Sequence, residues 1–150
     1  MLNPHFLIRK MTVQDIDQIM DIEKEVFTLP WSRESYLGEL KNKFATYLIC
    51  DSEGEVAGYA GIWVVFEDAH ITNIAVAQRF QGMGMGNTLM QEVEKVARDK
   101  KARRILLEVR PSNERAINMY TNLGYVATSL RKGYYPDNCE DAIIMTKLLL

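Results

Sequence analysis

Three glycines stand at alternate positions in "QRFQGMGMGNTLM", residues 78–90: Gly82, Gly84 and Gly86. Glycine weakens a helix or strand by roughly 0.5–1 kcal/mol relative to alanine, so the segment is costly unless the chain turns tightly there or something approaches its amides. A strand-like run precedes it, and a helical pattern follows in which Leu89, Val93, Val96 and Ala97 share a face. The centre of the chain is therefore a glycine-rich strand-to-helix junction.

The flanking periodicities complete an element order. Residues 6–10 read as a strand. "TVQDIDQIMDIEKEVF" carries Ile16, Ile19, Met20, Val26 and Phe27 at helical spacing behind a Thr12/Asp15 capping-box start. After "LPW", Ser32 caps a second helix through "SRESYLGELKNK". "ATYLICD", "VAGYAGIWVVF" and "DAHITNIAV" form a three-strand meander, and Glu94 and Arg98 pair on the outside of the helix after the glycines. "RRILLEVR" is a strand, "NERAINMYTNLG" a short helix closed by Gly124, and "YVATSLRKGYY" and "EDAIIMTKLLL" close the chain as a hairpin. The expected fold is α/β, with a mixed sheet of about seven strands and four helices in the order β-α-α-β-β-β-α-β-α-β-β.

With 47% hydrophobic and 25% charged residues, the 150-residue chain suits one domain spanning 1–150. A net charge of −2 and scattered basic residues give no footprint for nucleic acid. "MLNPHFLIRKM" lacks the apolar core of a secretory signal, and no apolar run approaches the ~20 residues of a membrane helix, so a cytoplasmic protein without membrane contact is expected. Cys50 and Cys139 suggest neither a disulfide framework nor a metal ligand set. His5 and His70 read as structural or surface residues.

Two phosphate-binding loops fail against the letters. A Walker loop ends in Gly-Lys-Ser/Thr, but Asn87 and Thr88 follow Gly86. A dinucleotide fingerprint is spaced G-x-G-x-x-G and opens a βαβ unit, neither of which holds here. What remains is an anion site at a helix N-terminus, suited to a pyrophosphate. Gln81-Gly82-Met83-Gly84-Met85-Gly86 resembles the Q/R-x-x-G-x-G/A signature of the GNAT superfamily of acetyltransferases. That resemblance implies that the loop cradles the pyrophosphate of acetyl-CoA. Family members often carry a basic or small residue where Met83 stands, so the charge would fall to amides and to more distant cations such as Arg79.

A second stretch, "LEVRPSNERAINMYTNLGY", resembles "LEVRxSNxxAxxLYxxxGF" of the RimI-type members, which acetylate the N-terminal alanine of a small-subunit ribosomal protein. "FTLPWSRESY", "AGYAGIW", "AHITNIAV" and "RKGYYPDNCEDAIIM" extend the likeness over nearly the full chain. Glu108 shares a strand face with Leu106, and a carboxylate among branched aliphatics is costly unless it is hydrogen-bonded or opens onto a cleft. Asn113 and Tyr120, seven residues apart, can share one helix face. The resemblance implies that Glu108 is the general base, Tyr120 the general acid, and Asn113 a residue that helps hold cofactor and tyrosine. Amides near Ile74, Ala75 and Val76 could polarise the thioester carbonyl.

The chemistry suits these residue types. An α-amine has a reference pKa of about 8, so it must lose a proton before attacking a thioester, and the departing thiolate must gain one. Carried over by position, Pro30, Trp31, Tyr134 and Tyr135 would line the acceptor peptide. The acidic residues Glu67, Asp68, Asp137, Glu140 and Asp141 could favour a basic peptide. A monomer is expected. Two other readings stay open: an acetyltransferase of a small amine such as a polyamine or aminoglycoside, and a non-catalytic acetyl-CoA-binding module.

Overall fold

A single seven-stranded sheet, ordered β1-β2-β3-β4-β5-β7-β6, separates two layers of helix. The computed structural model describes residues 5–149; the N-terminal tail and Leu150 of the expected last strand lie outside the described residues. The elements are β1 (Leu7–Lys10), α1 (Ile16–Val26), α2 (Arg33–Lys41), β2 (Ala45–Ser52), β3 (Glu55–Val65), β4 (Asp68–Val76), α3 (Met85–Asp99), β5 (Arg104–Val109), α4 (Glu114–Asn122), β6 (Val126–Arg131) and β7 (Ala142–Leu148). Short 3-10 turns at Val13–Asp15 and Gln78–Phe80 precede α1 and the glycine loop. The order is the one the sequence implied, and no helix among the described residues is long and apolar enough to cross a membrane.

Alternating side chains divide the core. Met85, Leu89, Met90, Val93 and Ala97 of α3 pack with Ile62, Ile71, Ile105, Leu107 and Val109 on one face. Ile16, Ile19 and Ile22 of α1 and Tyr36 of α2 pack with Tyr47, Ile49, Tyr59 and Ala75 on the other. Each fully buried Val, Leu or Met side chain contributes about 1.5–3 kcal/mol, so α3, with four such side chains besides Ala97, is held mainly by burial rather than by helix propensity. On β3, a Cβ at Gly61 would fall 2.2 Å from the Tyr47 ring, so only glycine lets that ring cross the strand.

Pairing between β4 and β5 positions the site. The strands are parallel, but only Asp68, Ala69 and His70 pair, with Arg104, Ile105 and Leu106. Beyond His70 the ladder stops, while β4 continues to Val76 against β3, past an irregularity at Gly61/Ile62. The sheet thus opens into a wedge between the last residues of β4 and β5.

Two local expectations change. Glu94 is not on an outer face: it is 4% exposed, takes a 2.8 Å bond from Lys147 Nζ, and accepts from the Tyr125 hydroxyl. Strand β6 ends at Arg131, so Tyr134 and Tyr135 lie in the loop before β7 and are free to face the wedge side of the molecule.

Candidate active site

The glycine loop closes the wide end of the wedge. Gly82 and Gly84 have φ of +85° and +82°, left-handed values that side-chain-bearing residues avoid, and Gly84 is the N-cap of α3. This path turns the backbone so that no amide from Gly82 to Asn87 donates to a protein acceptor among the described residues; the first that does is Thr88, to the Gly84 carbonyl at 3.1 Å. A Cβ built on Gly84 would meet nothing within 4 Å, so the space over these amides is open. Consecutive free amides at the positive end of a helix fit a pyrophosphate. Gly86 does a different job: a Cβ there would press on Met119 Sδ at 3.3 Å, so it lets α3 and α4 pack closely.

The other loop residues divide by role. Met85 is 1% exposed and its side chain belongs to the core, so only its amide faces the loop. Met83 projects outward, 41% exposed. Gln81, though exposed, bonds within the chain, donating to the Val76 carbonyl at 3.0 Å and accepting from Arg115 at 3.3 Å. Arg79, the cation suggested by sequence, pairs with Glu55 and stacks over Phe80 instead. Arg115 is the cation beside the loop, its Nη2 3.8 Å from where a Gly82 Cβ would stand. Sequence reasoning passed over it because only the packing of α4 brings it there.

At the narrow end of the wedge, Glu108 and Leu106 share one face of β5 while Ile105, Leu107 and Val109 are buried on the other. The Glu108 carboxylate, its side chain 12% exposed, bonds to His70 Nε2 through both oxygens, at 2.8 and 2.9 Å. His70 is thus part of the site, contrary to its reading as a structural or surface residue. The signal was the register: pairing of His70 with Leu106 puts it beside the residue two further along the same face. Each carboxylate oxygen keeps lone pairs for another donor.

Tyr120 approaches from α4. The residue is 6% exposed, yet its hydroxyl has no protein partner and is not sealed in, since Asn73 Oδ1 is the one fully buried side-chain polar atom without a partner among the described residues. Burial, then the neighbouring Tyr135, raise its pKa above the ordinary tyrosine value, which keeps the proton on. Tyr135 also senses the charge of Glu108, and burial pushes its hydroxyl up to about 12 against the pull of Arg110. Tyr135 therefore lies within electrostatic reach of both Glu108 and Tyr120. Asn113 is the N-cap of α4, its Oδ1 accepting from Ala116 N–H at 3.2 Å, which leaves its side-chain NH2 without a partner among the described residues.

The amides of Ile74, Ala75 and Val76 lie on β4 beyond the last pair with β5, while their side chains point into the two cores. Only their backbone can serve a ligand in the wedge.

Two loops flank the face that carries Glu108. Trp31 packs on Tyr36 with ring centroids 5.4 Å apart, and its amide donates to the buried Glu23 carboxylate at 3.1 Å. Glu23 also accepts from the hydroxyls of Tyr36 and Tyr59 and from Asn73 Nδ2, so one carboxylate ties α1, α2, β3 and β4 to the loop bearing Pro30 and Trp31. Burial chiefly, then the neighbouring charge, raises the pKa of both tyrosines and keeps them as donors. Opposite, Arg110 stacks on Tyr135 at 3.8 Å and bonds Asp137 twice at 3.0 Å and Glu140 at 3.2 Å. Tyr134 packs edge-on against Tyr135, centroids 5.0 Å apart.

Four of the five acids read as favouring a basic peptide, all but Glu67, are engaged within the chain. Arg110 bonds both Asp137 and Glu140, one positive charge against two negative, Asp68 is paired with Arg104, and Asp141 accepts from the Gly133 amide. The bonds of Asp137, Glu140 and Asp141 hold the loop.

The chain is similar to known proteins over most of its length. Residues 16–125 match the Acetyltransferase (GNAT) family. A Bacillus subtilis (strain 168) protein, provisionally assigned as a ribosomal protein bS18-alanine N-acetyltransferase, is 44% identical over 92% of each chain. The ribosomal protein bS18-alanine N-acetyltransferase of Escherichia coli K12 is 31% identical over 92% of this chain and 94% of its own. The crystal structure of the ribosomal-protein-S18-alanine N-acetyltransferase from Escherichia coli superposes with a TM-score of 0.88 at 29% identity, covering 96% of this chain and 94% of that one.

Proposed function

The chain belongs to the GNAT family of acetyl-CoA-dependent N-acetyltransferases, and on that premise we propose that it acetylates the N-terminal α-amine, an alanine, of a small-subunit ribosomal protein. The observation that carries this reading is the Glu108 carboxylate: largely shielded, held by His70, and set where the sheet opens toward the glycine loop. The enzyme acts as a cytoplasmic monomer in this reading.

The amides from Gly82 to Asn87 and the helix dipole of α3 would hold the pyrophosphate, with Arg115 adding charge and Asn113 contributing its free amide group. Acetyl-CoA supplies the activated acyl group and a thiolate leaving group. The β4 amides near Ala75 orient and polarise the acyl carbonyl. Pro30, Trp31, Tyr134 and Tyr135 confine the acceptor between the two loops, where an aromatic body and polar edge suit a peptide. Glu108 takes the proton from the α-amine, directly or through one water, and His70 holds the carboxylate toward it. Tyr120, kept protonated by burial, gives its proton to the departing sulfur.

A transfer assay tests the reading: wild type should acetylate an alanine-starting peptide, and Glu108→Gln should lose turnover while retaining affinity for acetyl-CoA. Undiminished turnover in Glu108→Gln would remove the carboxylate from the mechanism.

A further inference from the structure

Asp137, Glu140 and Asp141 of the β6–β7 loop are engaged by Arg110 and a backbone amide, whereas two acids on the α2 side keep carboxylate oxygens without protein partners. Between the α1–α2 connection, α2 and β3 lies an open hollow of about 500 Å3 whose lining includes Trp31, Glu34, Ser35, Glu39 and Trp63. No lysine or arginine lines it. Glu39 Oε2 accepts from Trp63 Nε1 at 2.9 Å and from Asn42 at 3.5 Å, leaving Oε1 without a protein partner, and Glu34 has none among the described residues. Two indoles and two uncompensated carboxylates around a space this large match a long cationic side chain: the indole faces attract it and the carboxylates fix its end.

A relay of side-chain contacts joins the wall of the hollow to the reacting group. Trp63 meets His70 edge-on, centroids 6.4 Å apart at 84°, and His70 is bonded to Glu108. One imidazole therefore separates the Trp63 ring from the carboxylate, a span that roughly two to four residues of extended peptide cover at about 3.3 Å each.

We propose that this hollow is a subsite for a lysine or arginine side chain that follows the acceptor's reactive N-terminus. The inference rests on the N-terminal acetyltransferase reading and adds to it a selectivity set by Glu34, Glu39, Trp31 and Trp63. The groups are partly exposed, so the preference is salt-sensitive and is expressed in acceptor binding rather than in the chemical step.

The test compares alanine-starting peptides carrying arginine at the second, third or fourth position with the same peptides carrying citrulline, which keeps the shape and removes the charge. Wild type should favour the best-placed arginine by about tenfold in kcat/KM, mostly through KM, and the ratio should shrink at high salt. In the double variant Glu34→Gln/Glu39→Gln, where glutamine still accepts from Trp63, the ratio should fall to within about twofold. Glu34→Lys, a change on the exposed first turn of α2, should depress the arginine peptide relative to the citrulline one. Transfer with no preference in wild type, or a preference that survives in the double variant, overturns the subsite alone. No transfer to any free N-terminus overturns the acceptor reading, and the subsite falls with it.

Discussion

His70 Nε2 lies 2.8 Å from one carboxylate oxygen of Glu108 and 2.9 Å from the other, bridging β4 and β5 at the point where their pairing ends. The two strands separate beyond this contact, so the bond both fixes the carboxylate and marks the edge of the wedge. If His70 orients Glu108, His70→Ala should lower kcat and change the shape of the pH–rate profile, whereas a purely packing role would lower stability and leave the profile unchanged. Glu108→Gln should cost about a hundredfold or more in turnover. Steady-state kinetics across neutral pH separates these outcomes.

Tyr120→Phe should slow turnover by about a hundredfold. Because the hydroxyl has no protein partner, its removal should change unfolding free energy by no more than about 0.5 kcal/mol. Paired urea titrations and rate measurements check both halves, and a wild-type rate removes Tyr120 from the reaction.

Gly84→Val should abolish acetyl-CoA binding, because its side chain would fill the open space over the loop amides. The left-handed φ of +82° adds strain of roughly 1–2 kcal/mol for any side chain. Gly54, in the β2–β3 turn with φ +89° and equally open surroundings, supplies the control. Gly54→Val should carry similar strain and retain cofactor affinity; calorimetric titration of both variants should separate strain from blockage.

Acid should weaken the fold through Arg9. Its guanidinium bonds Asp51 at 2.8 Å and holds that carboxylate below the ordinary aspartate value. Asp15 is also lowered: burial pulls upward, but its bonds from Arg9 and the Thr12 amide outweigh it. A depressed folded pKa contributes stability that is present above the unfolded value, about 4, and is lost as pH falls through the folded one. Unfolding followed between about pH 6 and pH 2 should show this loss, and Arg9→Met should show a shallower acid limb.

Much of the architecture was legible because period and punctuation agree. Alternation in "RRILLEVR" separates Glu108 from the buried face, and the spaced glycines mark the turn into α3. The partners of these residues were not legible. His70 meets Glu108 only through the β4–β5 register, Arg115 reaches the glycine loop only when α4 packs, and Glu94 is buried by the Lys147 and Tyr125 that come later in the chain. Asn113 shows the limit of counting helical turns: its Oδ1 is taken up in capping α4, which its spacing from Tyr120 does not reveal. The hairpin acids show the same limit for charge, since Arg110 gathers two of them from across the site.

The most direct test of the central claim is to locate the transferred group by mass spectrometry. The protein would be given acetyl-CoA with an alanine-starting basic peptide, the same peptide with a blocked N-terminus, and a polyamine. The account predicts one acetyl group, on the free α-amine alone. Modification of the polyamine alone, or of lysine side chains in the blocked peptide, would contradict it.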